Sequence, residues 1–265
     1  TRRLALTEAG TLYYQHCKTV LSTWQNTEQQ LSQLRENPQG ELRIAAPVGF
    51  AACGLLSQPL NRLLQSNPQL NIRLFMQDED IDWIVNRIDL ALCVRTGPLP
   101  DSTLVARQLA EWDMILAASP RYLAENGFSD TQPDSPEQLT KLNWLLHQNS
   151  KTEDMIFQGP NGNSLLPAQV KLLINNMQAL IQFTRDGLGM AILPKPEIGH
   201  ELKHGTLIQL LPDWRLPKLC IYAVTGTRSS QPAKVKTAIE VLSRTLQNYC
   251  SSDDSSHSDN TGSLK

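Results

Sequence analysis

Glu41-Leu42-Arg43-Ile44-Ala45-Ala46, followed by Pro47-Val48-Gly49-Phe50, reads as a short buried strand that feeds a turn and then a helix through Leu64. A second strand follows at Leu70 to Met76, a helix at Asp80 to Arg87, and a third strand at Ile88-Asp89-Leu90-Ala91-Leu92. Strands alternating with helices in this way make a largely parallel sheet with helices covering its faces. Ligands of such sheets sit beyond the carboxyl ends of the strands. Trp112 to Ala118 reads as a further strand, running into Ser119-Pro120-Arg121-Tyr122-Leu123. A second α/β set comes after it, with strands at Trp144 to His147 and Val170 to Ile174 and a helix from Met177 to Asp186. Gly187-Leu188-Gly189 then leads into Met190 to Pro194. A strand at Leu219 to Val224 and an amphipathic helix from Ala233 to Tyr249, with Val235, Ala238, Ile239, Leu242 and Leu246 on one face, close the order.

Ahead of the α/β body lies a different kind of segment. From Thr7 to Glu36 the apolar residues Leu12, Tyr13, Cys17, Val20, Leu21, Trp24, Leu31 and Leu34 recur at threes and fours. That spacing is one stripe of a helix about 45 Å long. Thr7 can cap it by accepting a hydrogen bond from an amide of the first turn. Gln15, Lys18, Gln25, Gln29 and Gln33 fall on the other face. A long one-sided helix needs a partner along its length, and a second copy of the chain supplies one; the alternative is a helix packed on its own domain. Asn37-Pro38-Gln39-Gly40 ends it, because Pro removes a donor and Gly frees the turn.

The 265 residues carry 24 basic and 26 acidic side chains, a net charge of −2, so the bulk of the chain makes no electrostatic case for nucleic acid. Five cysteines, Cys17, Cys53, Cys93, Cys220 and Cys250, are odd in number and show no C-x-x-C spacing. They read as reduced thiols rather than a disulfide framework or zinc site. No apolar run approaches the roughly 18 residues that span a bilayer, so no membrane partner is expected. Residues 251–265 have nothing to bury and read as a disordered tail.

Leu6-Thr7-Glu8-Ala9-Gly10, preceded by Arg2 and Arg3, resembles the join between DNA-binding domain and linker helix in LysR-type transcriptional regulators. Gly40 to Ala46, Asp89 to Leu92, Ala118 to Leu123 and Gly187 to Pro194 resemble further blocks of that family, in its order and spacing. Gly97 to Arg107 is similar to the branch that includes the CrgA and AphB regulators. One departure is that Cys93-Val94 come before Arg95, where that branch carries Arg directly after Asp-Leu-Ala-Ile.

The resemblance implies an α/β fold of two Rossmann-like subdomains of the periplasmic-binding-protein type, preceded by a long dimerisation helix. Residues 1–6 would be the remnant of a winged helix-turn-helix wing, 7–37 the linker helix, 41–118 plus 223–250 the first subdomain and 119–222 the second. The chain crosses between subdomains near Ala118 and again near Ala223. An effector lies in the cleft between them, and Tyr13, Cys17, Leu21, Trp24 and Leu31 make the dimer seam. Arg2 and Arg3 contact DNA phosphate, which adds affinity without reading bases. Expected partners are an operator DNA (through the N-terminal domain that the sequence lacks), a small effector, one or three further copies of the chain, and RNA polymerase. The setting is the bacterial cytoplasm, with no cofactor.

Candidate effector contacts follow from the cleft. Pro47, Val48, Gly49 and Phe50 stand where a helix begins after the first strand, a place whose amides suit an anion. Pro47 and Gly49 remove one amide and the hydroxyls that many family members carry here. A weaker anion site is expected, or a more apolar effector resting on Phe50; the other reading is a plain turn with Phe50 in the core. Val94 and Arg95, His147, Asn176, and Leu193-Pro194 complete the set. Arg95 can pair a carboxylate bidentately, or form a structural ion pair with Asp89 or Asp101. His147 can donate one hydrogen bond and accept another, or be a satisfied strand-end residue.

His200-Glu201-Leu202-Lys203-His204 is a literal H-E-x-x-H string. Gly199 and Gly205 bracket it, leaving about one turn of helix, and Leu207 and Leu210 stand where the extended metzincin pattern needs a glycine and a third histidine. Neither a catalytic group nor a metal site is expected. Two rivals compete with the regulator: a periplasmic-type solute receptor, which has no use for the long front helix, and a two-domain enzyme, which needs convergent catalytic groups.

Overall fold

The computed structural model describes residues 6–78, 86–97, 104–129, 132–160, 162–165, 169–226 and 231–252. The expected wing arginines Arg2 and Arg3, most of the expected helix at 80–87, and Asp101 lie outside them.

Helix α1 spans Glu8–Glu36. Thr7 caps it, its Oγ1 accepting from the Gly10 amide at 3.1 Å. The helix stands away from the rest of the chain: Tyr13 is 74%, Val20 70%, Leu21 58% and Trp24 66% exposed. Cys17 is exposed too, while the side chain of Leu31 is not among those described.

The chain then builds β1 (Gly40–Ala46), α2 (Val48–Ala52), α3 (Ser57–Ser66), β2 (Leu70–Met76), β3 (Leu90–Thr96), β4 (Val105–Trp112) and β5 (Met114–Ala118). After α4 (Pro120–Glu125) come β6 (Asn143–His147), β7 (Ile156–Gly159), β8 (Gly162–Leu165) and β9 (Gln169–Ile174). The last elements are α5 (Met177–Arg185), β10 (Ala191–Pro194), α6 (Gly199–His204), β11 (Ile208–Leu210), β12 (Leu219–Thr225) and α7 (Ala233–Ser252). Because α7 runs through Ser252, the expected tail boundary at residue 251 falls inside a helix.

Two sheets organise the body. The first has the order β2-β1-β3-β12-β4, with β1 parallel to β2 and β3 and with β12 antiparallel to β3 and β4. Its core joins Leu42, Ile44, Leu90, Leu92 and Ile221 to Leu63 of α3 and to Ile239, Leu242 and Leu246 of α7. Lys234 ties α7 down, its Nζ donating to Asp89 Oδ2 at 2.8 Å. The second sheet has β10-β5-β11, all antiparallel, and β6 joins it through the Leu145 amide, which donates to the Met190 carbonyl at 2.9 Å. Successive side chains of a strand point to opposite faces, and β5 uses both: Leu116 and Ala118 enter one core cluster, Ile115 and Ala117 another.

The crossings between sheets differ from the expected ones. Trp112 to Ala118 is not one strand: Trp112 ends β4 in the first sheet and Met114 opens β5 in the second, so the chain changes sheet at Asp113 rather than near Ala118. The Asp113 carbonyl accepts from the Lys195 amide at 2.9 Å, which holds this crossing against the end of β10. The return falls before Leu219 rather than near Ala223, because β12 pairs with Thr96 and Trp112 from its first residue. No Gly or Pro separates Leu109 from Ala118, so apolarity alone gives no sign of the break.

Candidate effector cleft

A cavity of about 500 Å³ lies between the two lobes. The first lobe lines it with Pro47, Gly49, Asp78, Cys93, Val94, Arg95, Thr96 and Leu219. The second supplies Leu146, His147, Asn149, Ser150, Lys151, Asp154, Met155, Met177, Ile192, Pro194 and Glu197, while Met114 and Pro217 sit at the crossings. These residues cluster at the ends of β1, β2, β3, β6 and β10, where an open α/β sheet presents its ligand.

Of the residues proposed from the sequence, Pro47, Gly49, Val94, Arg95, His147 and Pro194 reach the cavity wall. Val48 contributes its amide, which donates to Asp78 Oδ1 at 3.0 Å. Asn176 caps α5: its Oδ1 accepts from the Ala179 amide at 2.8 Å and its Nδ2 donates to Asp78 Oδ2 at 2.8 Å. Phe50 and Leu193 do not reach the cavity. Phe50 is fully buried in the first core, its ring centroid 5.1 Å from that of Trp112, so no effector rests on it. Leu193 is fully buried in the second lobe's core.

Asp78 was not anticipated, although it lies two residues past the end of β2, where cleft residues are expected. Besides the Val48 amide and the Asn176 side chain, it accepts from the Met177 amide at 3.4 Å. Its carboxylate therefore occupies the point where α2 of one lobe and α5 of the other begin, and it links the lobes. A second link is the hydrogen bond from Thr96 Oγ1 to Asp154 Oδ1, with Asp154 Oδ2 accepting from the Lys151 amide at 2.8 Å.

Glu197, in the short 3₁₀ turn Lys195–Ile198 after β10, was missed as well. Its carboxyl packs on α2 at Gly49, where any Cβ would collide with Oε2. Gln178 Nε2 donates to the same oxygen at 3.0 Å. Burial, and then the negative charge of Asp78, push its pKa up from 4.5 to about 7, against the pull of the Gln178 hydrogen bond. Arg95 has a buried Nε with no hydrogen-bond partner among the described residues. The expected pairing with Asp89 is not made: Asp89 precedes β3 and pairs with Lys234 at 2.8 Å, while Arg95 stands near the strand's other end. His147 Nδ1 accepts from the Asn149 amide at 3.3 Å, a bond that leaves Nε2 for contacts elsewhere.

The H-E-x-x-H string forms α6, only six residues long. His200 and His204 stack at 4.1 Å, and Glu201 lies 3.8 Å from Arg185 Nη1. Among the described residues no three His, Cys, Asp or Glu side chains converge as a metal site requires.

The family model of the LysR substrate binding domain matches residues 35–247. The chain belongs to the LysR family of transcriptional regulators. It is 34% identical over 236 residues to a helix-turn-helix transcriptional regulator of Haemophilus influenzae, covering 89% of this chain and 80% of that one. Two solved structures share the fold. The full-length virulence activator AphB of Vibrio cholerae superposes with a TM-score of 0.72 at 24% identity, over 92% of this chain and 82% of that one. The regulatory domain of CrgA from Neisseria meningitidis gives 0.66 at 22%, over 79% and 100%. This LysR-type chain carries the domain that senses an effector, in the two-lobed architecture of those regulators. No described helix is long and apolar enough to cross a membrane.

Proposed function

We propose that a small-molecule effector binds in the cleft between the lobes and shifts the balance of interlobe or intersubunit arrangements, which changes how a LysR-type dimer or tetramer holds DNA. The observation that carries this reading is the cavity itself. Its volume of about 500 Å³ suits a small metabolite, and both lobes build its wall. The links from Asp78 to Asn176 and from Thr96 to Asp154 span the cleft, so a ligand that breaks or reinforces them acts on the lobe arrangement directly. The exposed stripe of α1 supports two chains meeting along that helix and favours a regulator over a solute receptor. Operator DNA, a second copy of this chain and RNA polymerase are the macromolecular partners of the reading, the cytoplasm is its setting, and no catalytic step belongs to it.

Thermal-shift screening of the purified chain against aromatic and carboxylic metabolites, followed by calorimetry, tests it. His147 lines the cavity, so His147→Ala should weaken the effector about tenfold while leaving the oligomer mass and melting temperature in place. Identical titrations for the variant and the parent would remove His147 from the site. A screen in which no ligand depends on any cleft residue would sink the reading.

A further inference from the structure

Among the described residues Arg95 and Glu197 of the cleft wall form no ion pair, and they have opposite sign. Asp78 and Asp154, likewise without one, are each held by two or more hydrogen bonds, and Lys151 is exposed. Arg95, on β3 of the first lobe, keeps a buried Nε without an acceptor. Glu197, on the second lobe, accepts from the uncharged Gln178 amide, and among the described residues no basic side chain pairs with it. A buried donor left without an acceptor costs free energy, as does a buried carboxylate without a cation. The two do not neutralise each other, since no Arg95–Glu197 pair is formed.

A third observation narrows the ligand. The amides that open α2 and α5 would favour an incoming anion, but Asp78 already fills that position with its own carboxylate. A further anion there would face Asp78 and Glu197 together. Of the two basic side chains in the wall, Lys151 is exposed, so an anionic group is directed to Arg95, whose guanidinium can bind a carboxylate with two parallel hydrogen bonds. A cation beside Glu197 would instead relieve the crowding of two carboxyl groups. Met114, Met155, Met177 and Ile192 supply apolar wall for a short hydrocarbon segment, the methionines adapting to its shape.

We infer that the effector is a zwitterion of the amino-acid class, with an ammonium group received by Glu197 and a carboxylate received by Arg95. The inference rests on the cleft being the effector site and names the ligand's chemistry.

Calorimetry on the purified chain with 2-aminopentanoate, 4-aminopentanoate and 5-aminopentanoate, beside pentanoate and pentylamine, separates the contributions of the two groups. At least one amino acid isomer should bind about tenfold or more tightly than both single-headed probes. Glu197→Gln should reduce that isomer to the level of pentanoate, and Arg95→Gln to the level of pentylamine, with melting curves showing both variants folded. Pentanoate binding as well as every amino acid isomer, and indifferent to Glu197→Gln, would overturn the inference. So would the failure of the whole series to bind. If the metabolite screen yields a ligand with no amine that His147→Ala weakens, the zwitterion is wrong and the effector cleft stands. A screen with no cleft ligand removes both.

Discussion

Along α1 the side chains of Tyr13, Val20, Leu21 and Trp24 stand in water with no lobe to cover them, while in the cleft Arg95 and Glu197 are partly withdrawn from water and, among the described residues, form no ion pair. One region exposes what ought to be buried and the other half-buries what ought to be solvated. The difference teaches what each region is for. Apolar surface gains free energy from any partner of matching shape, at roughly 25 cal/mol per Å² removed from water, so α1 suits a protein surface as long as itself. A buried charge gains only from a group of the right sign at the right distance, so the cleft suits a small ligand of particular chemistry. On the proposed reading, oligomerisation and sensing are separated along the chain.

The comparison breaks most visibly at α1. Replacing Leu21 and Trp24 together by Glu places two carboxylates per chain in the proposed seam. Burying each parent side chain is worth about 1.5–3 kcal/mol, so the association should weaken by a thousandfold or more, about 4 kcal/mol. Sedimentation should then report a single copy, with the melting temperature of the lobes little changed because α1 packs so little against them. An undiminished oligomer would move the interface to the lobes and leave the exposed stripe without a purpose.

A second substitution probes the boundary between core and cleft. Phe50→Ala should cost about 3–5 kcal/mol in denaturant unfolding, since it empties a fully buried aromatic site against Trp112. If stability is retained and only ligand binding suffers, Phe50 faces the cavity and its placement is wrong.

That residue also shows how far the sequence could be read. The turn after β1 was legible as a cleft segment, and Pro47 and Gly49 do line the cavity. But α2 begins at Val48, and each residue of a helix turns the side-chain direction by about 100°, so Phe50 points into the core while Gly49 faces Glu197. The start of α2 and its angle to the sheet, which no residue pattern encodes, decide this. Helix α1, its Thr7 cap and the strands β1, β2, β6 and β9 were readable because periodicity is local. The break at Asp113 was not, since one stretch without Gly or Pro, Leu109 to Ala118, serves two sheets. Asp78 and Glu197 were passed over because their meaning comes from closure: Asp78 meets Asn176 across 98 residues of chain, and Glu197 is notable only where α2 packs on it.

Glu197 sharpens the comparison with a smaller effect that depends on pH. It faces Asp78 beyond β2, Gln178 on α5, and Cys53 at the end of α2, whose thiol pKa burial and Glu197 together raise to about 11. In the unfolded chain the carboxyl ionises near 4.5, in the folded one near 7. Between those values the native state holds a proton that the unfolded state has lost, so the contribution is intact below pH 4.5 and falls away as pH rises through 7. Glu197→Gln removes that loss. The variant should melt with the parent at pH 5 and above it at pH 8, by up to about 3 kcal/mol, or several degrees. Asp78→Asn in the parent should narrow the gap by removing the neighbouring charge. Superimposable melting curves at pH 8 would mean that water reaches Glu197 freely, and the cleft would then be no more demanding of its ligand's charge than an open surface.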